Sequence, residues 1–228
     1  MAGPAAAPVP ALGNGHVRLR ALGPHDLDWV RAAETDEFLA FRWRLRGGHP
    51  SPHDYVDQIW TGALAVFVVE QATDGRPIGI VSAYQADHRN GHCRVAAARL
   101  HPDGSMDTSF MAGVALFFEY LFTGWPLRKL YLETPEYNIG QFASAVDRGL
   151  LRVEARLEEF VFLADRYWDM LFLSVSRDSW SAFRATATGQ HLLRKPVDLA
   201  GLVHQAVNGT ANGRATATAA GTFAGHAV

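Results

Sequence analysis

The segment "SFMAGVALFFEYLF" constrains this chain more than any other. It reads as the body of a helix over 107–122 whose apolar side chains surround it: Phe110, Met111, Val114, Leu116, Phe117, Phe118 and Leu121. A helix that is apolar all round has to be covered all round. The runs before and after it, "HCRVAAARLHP" and "LRKLYLETP", read as strands. A strand–helix–strand unit of this length is a crossover, which makes the two strands parallel and lays the helix on their sheet.

The flanking segments supply the rest of that sheet. "HVRLRAL" reads as a short strand. "PHDLDWVRAAETDEF" reads as a helix, with Pro24 in its first turn and Leu27, Val30 and Ala33 at helical spacing. "SPHDYVDQIW" opens a second helix, where Ser51 can cap, Pro52 takes the first position and Asp54 stands where a capping box wants an acid. "ALAVFVVEQ" and "PIGIVSAYQ" join "HCRVAAARLHP" through the turn signals "TDGRP" and "HRNGH", which predicts an antiparallel meander. After the fifth strand comes "NIGQFASAVDRG", a helix ended by Gly149. "RVEARLEEFVFLA" then turns at "ADR" into a last strand, "YWDMLFLSVSRDSW". The order is β-α-α-β-β-β-α-β-α-β-β.

Composition limits the function classes. At 228 residues, 48% hydrophobic and 19% charged, the chain fits one soluble globular domain that needs no disulfide or metal staple. Its single cysteine, Cys93, excludes an intrachain bridge and suits a reducing cytoplasm. A net charge of −2 gives no electrostatic footprint for nucleic acid or an anionic membrane. The apolar runs stop short of the ~18 residues a membrane helix needs. The start, "MAGPAAAPVPALGNG", lacks a basic region and is expected to be a disordered arm over 1–15 rather than a signal peptide. The folded domain is expected over 16–180. The extension 181–228 holds a short helix in "VDLAGLVHQAV" and then a disordered tail, too poor in apolar residues to offset the entropy of ordering.

The order of elements, with its landmarks, resembles the GNAT acyltransferase superfamily, in particular the branch that acetylates protein N-termini and small amines. The likeness spans about 16–180. Its landmarks are "RKLYLETPEYN", Asn138, Gly149-Leu150, Val153-Glu154-Ala155-Arg156, then Asp169, Arg177 and Trp180 in the closing hairpin. The resemblance implies an α/β (α+β) fold: a mixed, mostly antiparallel seven-stranded sheet with a V-shaped splay between strands 4 and 5, flanked by four helices. It also implies acetyl-CoA or another acyl-CoA as co-substrate and no metal. The pantetheine arm would hydrogen-bond the main chain inside the splay, between 92–101 and 128–134, as an added strand does. The pyrophosphate would rest on amides at the start of the third helix. An acceptor amine would attack the thioester directly, with a base to take its proton and a strand-four N–H to stabilise the oxyanion. The implied cofactor-binding residues are Arg99, Leu100, His101, Gly104, Ser105, Met106, Asp107, Thr108, Ser109 and Asn138.

The chain departs from the family pattern at that loop. Relatives carry R/Q-x-x-G-x-G/A, in which glycine lets the backbone approach the phosphates. Here Met106, Asp107 and Thr108 stand where the glycines belong, and Gly104 falls before them. Three readings stay open. CoA binds through the helix start, with Ser105, Thr108 and Ser109 as donors. Alternatively, an acyl carrier protein presents the pantetheine without the nucleotide. Or the domain transfers nothing, and Asp107 caps the helix. An Arg/Trp-rich segment, Arg42, Trp43, Arg44 and Arg46, suits an acidic acceptor or an acidic carrier.

The catalytic candidates are His92, Glu133, Tyr137 and Gln141. His92 stands early in strand four, where relatives often carry glutamate, and imidazole titrates near pH ~6.5. Glu133 and Glu136 flank the strand-five exit and suit a cationic amine. Gln141, three residues after Asn138, replaces the family's serine, which leaves Tyr137 as the nearby acid. His88 and His92 flank an Asn-Gly turn, so their spacing of four is no metal signal. Nor is that of His49 and His53, which flank a loop. Cys93, in an apolar strand, reads as a buried side chain rather than a nucleophile. The function implied is N-acyl transfer from acyl-CoA or a carrier-bound thioester to a small amine or peptide, with a homodimer seam along the aromatic strands near 160–175 as one arrangement. The alternative is an inactive scaffold of the same fold that binds a metabolite or protein.

Overall fold

The structure, a computed structural model, describes residues 12–36, 48–100 and 108–193. Four sets of expectations therefore lie outside the described residues: the arm through residue 11, the Arg/Trp-rich segment, the loop from His101 to Asp107, and everything beyond Leu193.

The elements run β1 (Val17–Ala21), a 3-10 turn (Pro24–Asp26), α1 (Leu27–Glu34), α2 (Pro52–Trp60), β2 (Ala63–Gln71), β3 (Pro77–Asp87), β4 (His92–Arg99), α3 (Ser109–Gly124) and β5 (Lys129–Pro135). A 3-10 segment (Glu136–Phe142), α4 (Ala143–Asp147), β6 (Arg152–Leu163), β7 (Arg166–Ser176), α5 (Arg177–Ala185) and α6 (Ala187–Leu193) complete the chain. One seven-stranded sheet has the order β1-β2-β3-β4-β5-β7-β6. Every neighbouring pair is antiparallel except β4 and β5, which α3 connects as a parallel crossover.

Each face of the sheet has its own core. On one, Leu116, Phe117 and Leu121 of α3 pack on Phe67, Val69, Val81, Cys93, Leu130 and Leu173. On the other, Val30 of α1 and Tyr55 and Ile59 of α2 pack on Val66, Val68, Ile80 and Ala98. The apolar helix so prominent in the sequence therefore lies against the sheet, and two glycines let it come close. A Cβ on Gly113 would fall 2.3 Å from Val69 Cγ1, and one on Gly79 would fall 2.4 Å from the Phe110 ring. No helix among the described residues is long and apolar enough to cross a membrane.

Three local expectations are corrected. The fourth helix is mostly a 3-10 turn, with only Ala143–Asp147 α-helical before Gly149 at φ +70°. "RDSW" does not continue β7. Ser176 and Ser179 exchange side-chain-to-backbone bonds of 3.0 Å, a cap that starts α5 there. And two helices, α5 and α6, follow the expected four.

The late landmarks prove to be braces for α3. The Arg177 guanidinium donates to the carbonyls of Phe122 (2.7 Å), Trp125 (3.1 Å) and Leu127 (2.9 Å), closing the C-terminal end of the helix. Trp180 is buried against Phe118 and Phe122, and its indole N–H donates to Glu119 at 3.0 Å.

Candidate active site

The site follows from where β4 and β5 stop pairing. Their parallel ladder has three rungs: His92–Lys129, Cys93–Leu130 and Arg94–Tyr131. Beyond them β4 stays bound to β3 as far as Arg99, and β5 stays bound to β7 as far as Pro135. The two strands therefore diverge while each keeps its outer partner, and a wedge opens between them.

Ladder parity decides what lines the wedge. Leu100 N–H donates to Ile78 at 3.1 Å, and the register continues through Ala98–Ile80, Ala96–Ser82 and Arg94–Tyr84. Main-chain groups alternate sides along a strand. Those of Arg94, Ala96, Ala98 and Leu100 thus engage β3, and those of Val95, Ala97 and Arg99 turn toward β5. The Val95 N–H closes the third rung on the Tyr131 carbonyl, and the Val95 carbonyl, Ala97 and Arg99 face the wedge. On the other wall, Arg177 N–H donates to Arg128 at 2.9 Å, in register with Leu130–Val175 and Leu132–Leu173. By the same rule Leu130, Leu132 and Thr134 engage β7, and Tyr131 and Glu133 turn toward β4, Tyr131 within the ladder and Glu133 past it, at the wedge. Two of the residues singled out on β4 therefore differ. Arg99 points its main chain into the opening, while Leu100 gives its N–H to β3 and its side chain to the core. Ala97, and Val95 through its carbonyl, carry the matching groups, which sequence reasoning missed.

Side chains at the vertex sit on the α1–α2 face. Cys93 and Val95 join the α3-side core, so Arg94 and Ala96 point the other way. Arg94 Nη1 lies 2.7 Å from Glu133 Oε1, an ion pair across the wedge at its last rung. Beside it, a cleft of about 440 Å³ is lined by Asp57, Gln58, Ile59 and Thr61 of α2 and its C-terminal end, Ala63 of β2, Ser82, Tyr84 and Gln85 of β3, and Ala96 of β4. Tyr84 and Ser82 are the β3 partners of Arg94 and Ala96, so cleft and vertex adjoin.

The other candidates are distributed around this core. His92 starts β4 at the closed end of the wedge, 3.8 Å from Asp87 and edge-on to Tyr131 at 5.5 Å. Glu136 is held 2.8 Å from Arg156, which also binds Asp169. The N–H of Glu159 and that guanidinium keep the Asp169 carboxyl below the usual range. Tyr137 is edge-on to Trp168 at 5.2 Å, half-buried on the strand-five exit, and Asn138 beside it is buried. Gln141 is exposed on the 3-10 segment. Cys93 is fully buried, and burial pushes its thiol up to about 12, which leaves it inert at neutral pH. Thr108 precedes α3 without a side-chain cap bond, and Ser109 begins the helix. Among the described residues no group of three His, Cys, Asp or Glu side chains gathers as a ligand set.

A mixed seven-stranded sheet with one parallel pair that splays beside its crossover helix is the GNAT fold, as the sequence landmarks implied. Solved structures agree. The chain is 19% identical to a spermidine N-acetyltransferase from Vibrio cholerae in complex with CoA and spermine, over 74% of this chain and 99% of that one, with a TM-score of 0.63. It is 20% identical to a GCN5-related N-acetyltransferase from Brucella melitensis, over 77% of this chain and 82% of that one, with a TM-score of 0.60. The Vibrio cholerae spermidine/spermine N-acetyltransferase SpeG with manganese ions gives 20% identity, 76% and 99% coverage, and a TM-score of 0.60. No protein-family model matches the chain, and no curated protein matches it in sequence. At these identities the likeness is one of fold.

Proposed function

We propose that the protein is an N-acyltransferase that moves an acyl group from acyl-CoA to a small primary amine by direct attack. The observation that carries this reading is the wedge: a three-rung ladder, then the C=O of Val95 and the main-chain groups of Ala97, Arg99 and Glu133 turned into an opening. A pantetheine arm carries amides at intervals along an extended chain, and such walls bind it as a sheet binds a strand. The three solved structures are all N-acetyltransferases, one of them in complex with CoA, and that supports the same reading.

The residues divide the chemistry. The amine enters from the cleft on the α1–α2 face and loses a proton to Glu133, directly or through water. Its nitrogen attacks the thioester carbon, forming C–N, and a wedge-facing N–H of β4 holds the oxyanion. As C–S breaks, the thiolate takes a proton from Tyr137, which lies at the strand-five exit. Arg99, at the open end, and Thr108 and Ser109, at the start of α3, serve the far end of the donor. His92, at the closed end, and Gln141, in solvent, are left out of the proton path.

The donor's form is decided by one titration. Thermal stabilisation by acetyl-CoA at micromolar to millimolar concentration supports free CoA as donor. Stabilisation by an acyl carrier protein bearing phosphopantetheine, with none by CoA, supports the carrier. Stabilisation by neither contradicts acyl transfer and leaves the inactive scaffold.

A further inference from the structure

Arg94 sits where the proposed reaction places the incoming amine, and that reaction gives it no task. Its side chain is 41% exposed, and its ion-pair partner among the described residues is Glu133, 2.7 Å from a single terminal nitrogen. The planar guanidinium keeps further donors for a carboxylate or phosphate. Glu133 is more enclosed, at 18%. The vertex of the wedge thus presents a positive and a negative group side by side, next to a cleft lined by Ala96 and Tyr84 beside Arg94. Theirs is an ion contact without hydrogen-bond geometry, which leaves Glu133 Oε1 with no hydrogen-bond partner.

We propose, on the basis of the acyltransferase reading, that Arg94 is the specificity-determining residue for the acceptor and that the acceptor is an α-amino acid or a compound with the same head. An α-amino acid carries its amine and its carboxylate on one carbon, at a spacing close to that of the Arg94–Glu133 pair. Laid head-to-tail on the pair, its nitrogen meets Glu133 and its carboxylate meets the remaining donors of Arg94. Each of the four charges then neighbours two of opposite sign. A plain amine satisfies Glu133 alone and leaves the Arg94 donors to water. The cleft takes the side chain of the acceptor. Its one charged lining residue is Asp57, among Gln58, Thr61, Ser82, Tyr84 and Gln85, so polar or cationic side chains suit it better than acidic ones.

The step balances without further reactants. The amine proton passes to Glu133, C–N forms as C–S breaks, and the thiolate is protonated, giving an N-acyl amino acid and the free thiol. The α-carboxylate stays ionised throughout, so Arg94 binds ground and transition states alike and acts on KM more than on kcat.

The test compares matched acceptors: L-lysine against cadaverine, L-histidine against histamine, L-tyrosine against tyramine. Thiol release from acetyl-CoA gives kcat/KM for each. The carboxylated member of each pair should be at least tenfold better. Arg94→Gln should collapse that ratio toward one, chiefly through KM, and Arg94→Lys should restore part of it. Thermal melting confirms that both variants are folded. A wild-type ratio of one or below overturns the proposal, independently of any variant. So does a ratio that Arg94→Gln leaves in place. Binding of acetyl-CoA with no transfer to either member of any pair overturns the acyltransferase reading itself, and the role of Arg94 with it.

Discussion

Glu133 and Cys93 show how position, more than residue type, sets chemistry here. Glu133 lies on a strand wall facing the wedge, against Arg94, and is the carboxylate of the vertex ion pair. Glu133→Gln keeps shape and removes the proton acceptor. It should lower kcat on the order of 10²–10³-fold with little change in KM for acyl-CoA, measured by steady-state kinetics. Ala97→Pro removes a wedge-facing N–H while leaving the β3 ladder intact, because the Ala97 main chain does not engage β3. It should weaken acyl-CoA binding about tenfold, the effect of one lost hydrogen bond near 1.4 kcal/mol, read by calorimetry.

Cys93 is the opposite case, a reactive residue type made inert by enclosure. Its thiol ionises near 9.0 when unfolded and near 12 when folded, with burial as the cause. The unfolded chain therefore releases this proton first as pH rises. Its contribution to stability is complete below about pH 9 and is lost as pH climbs through about 12. Urea unfolding at pH 8 and pH 10.5 should show a loss of stability that is smaller in Cys93→Ala.

At the scale of elements, α3 decides whether the wedge exists. It carries the chain from the end of β4 back to the start of β5, and its close seat depends on Gly113 over Val69. Gly113→Ala forces that contact apart and should cost about 1–3 kcal/mol in chemical denaturation, the usual range for overpacking. The Arg177 brace at its other end is also testable. Arg177→Ala strips hydrogen bonds from the carbonyls of Phe122, Trp125 and Leu127 and should cost about 2 kcal/mol. The apolar girdle of α3 and the strands beside it were plain in the sequence because burial on all sides leaves a compositional mark. The start of α5 was not. Its cap is a Ser176–Ser179 pair without the acid of the usual signature, so the apolar run of β7 read straight through it.

At the scale of the whole molecule, the antiparallel meander and the one parallel pair were legible, because turn signals fix the meander and helix length fixes the crossover. The seat of β7 between β5 and β6 was not, because no local signal says which strand of the last hairpin pairs with β5. The site was legible only in outline. Asn138 and Glu133 could be named from resemblance, but Val95 and Ala97 bear no chemical signature, since what they offer is main chain. Which β4 residues face the wedge depends on ladder parity, and that is set by pairing with β3 rather than by side chains. Arg94 went unnoticed for a related reason. Its partner lies 39 positions away (133 − 94), on the far wall, and local sequence carries no trace of the pair.

Amide hydrogen exchange along β4 and β5, with and without saturating acetyl-CoA, tests the wedge most directly. Without ligand, Ala97 and Glu133, whose amides lie past the last rung, should exchange much faster than Ala96 and Ala98, and acetyl-CoA should slow those two selectively. Equal slow exchange at all of these amides in the free protein, or fast exchange at Ala97 and Glu133 that saturating acetyl-CoA leaves unchanged, would contradict a wedge that binds the donor through its main chain.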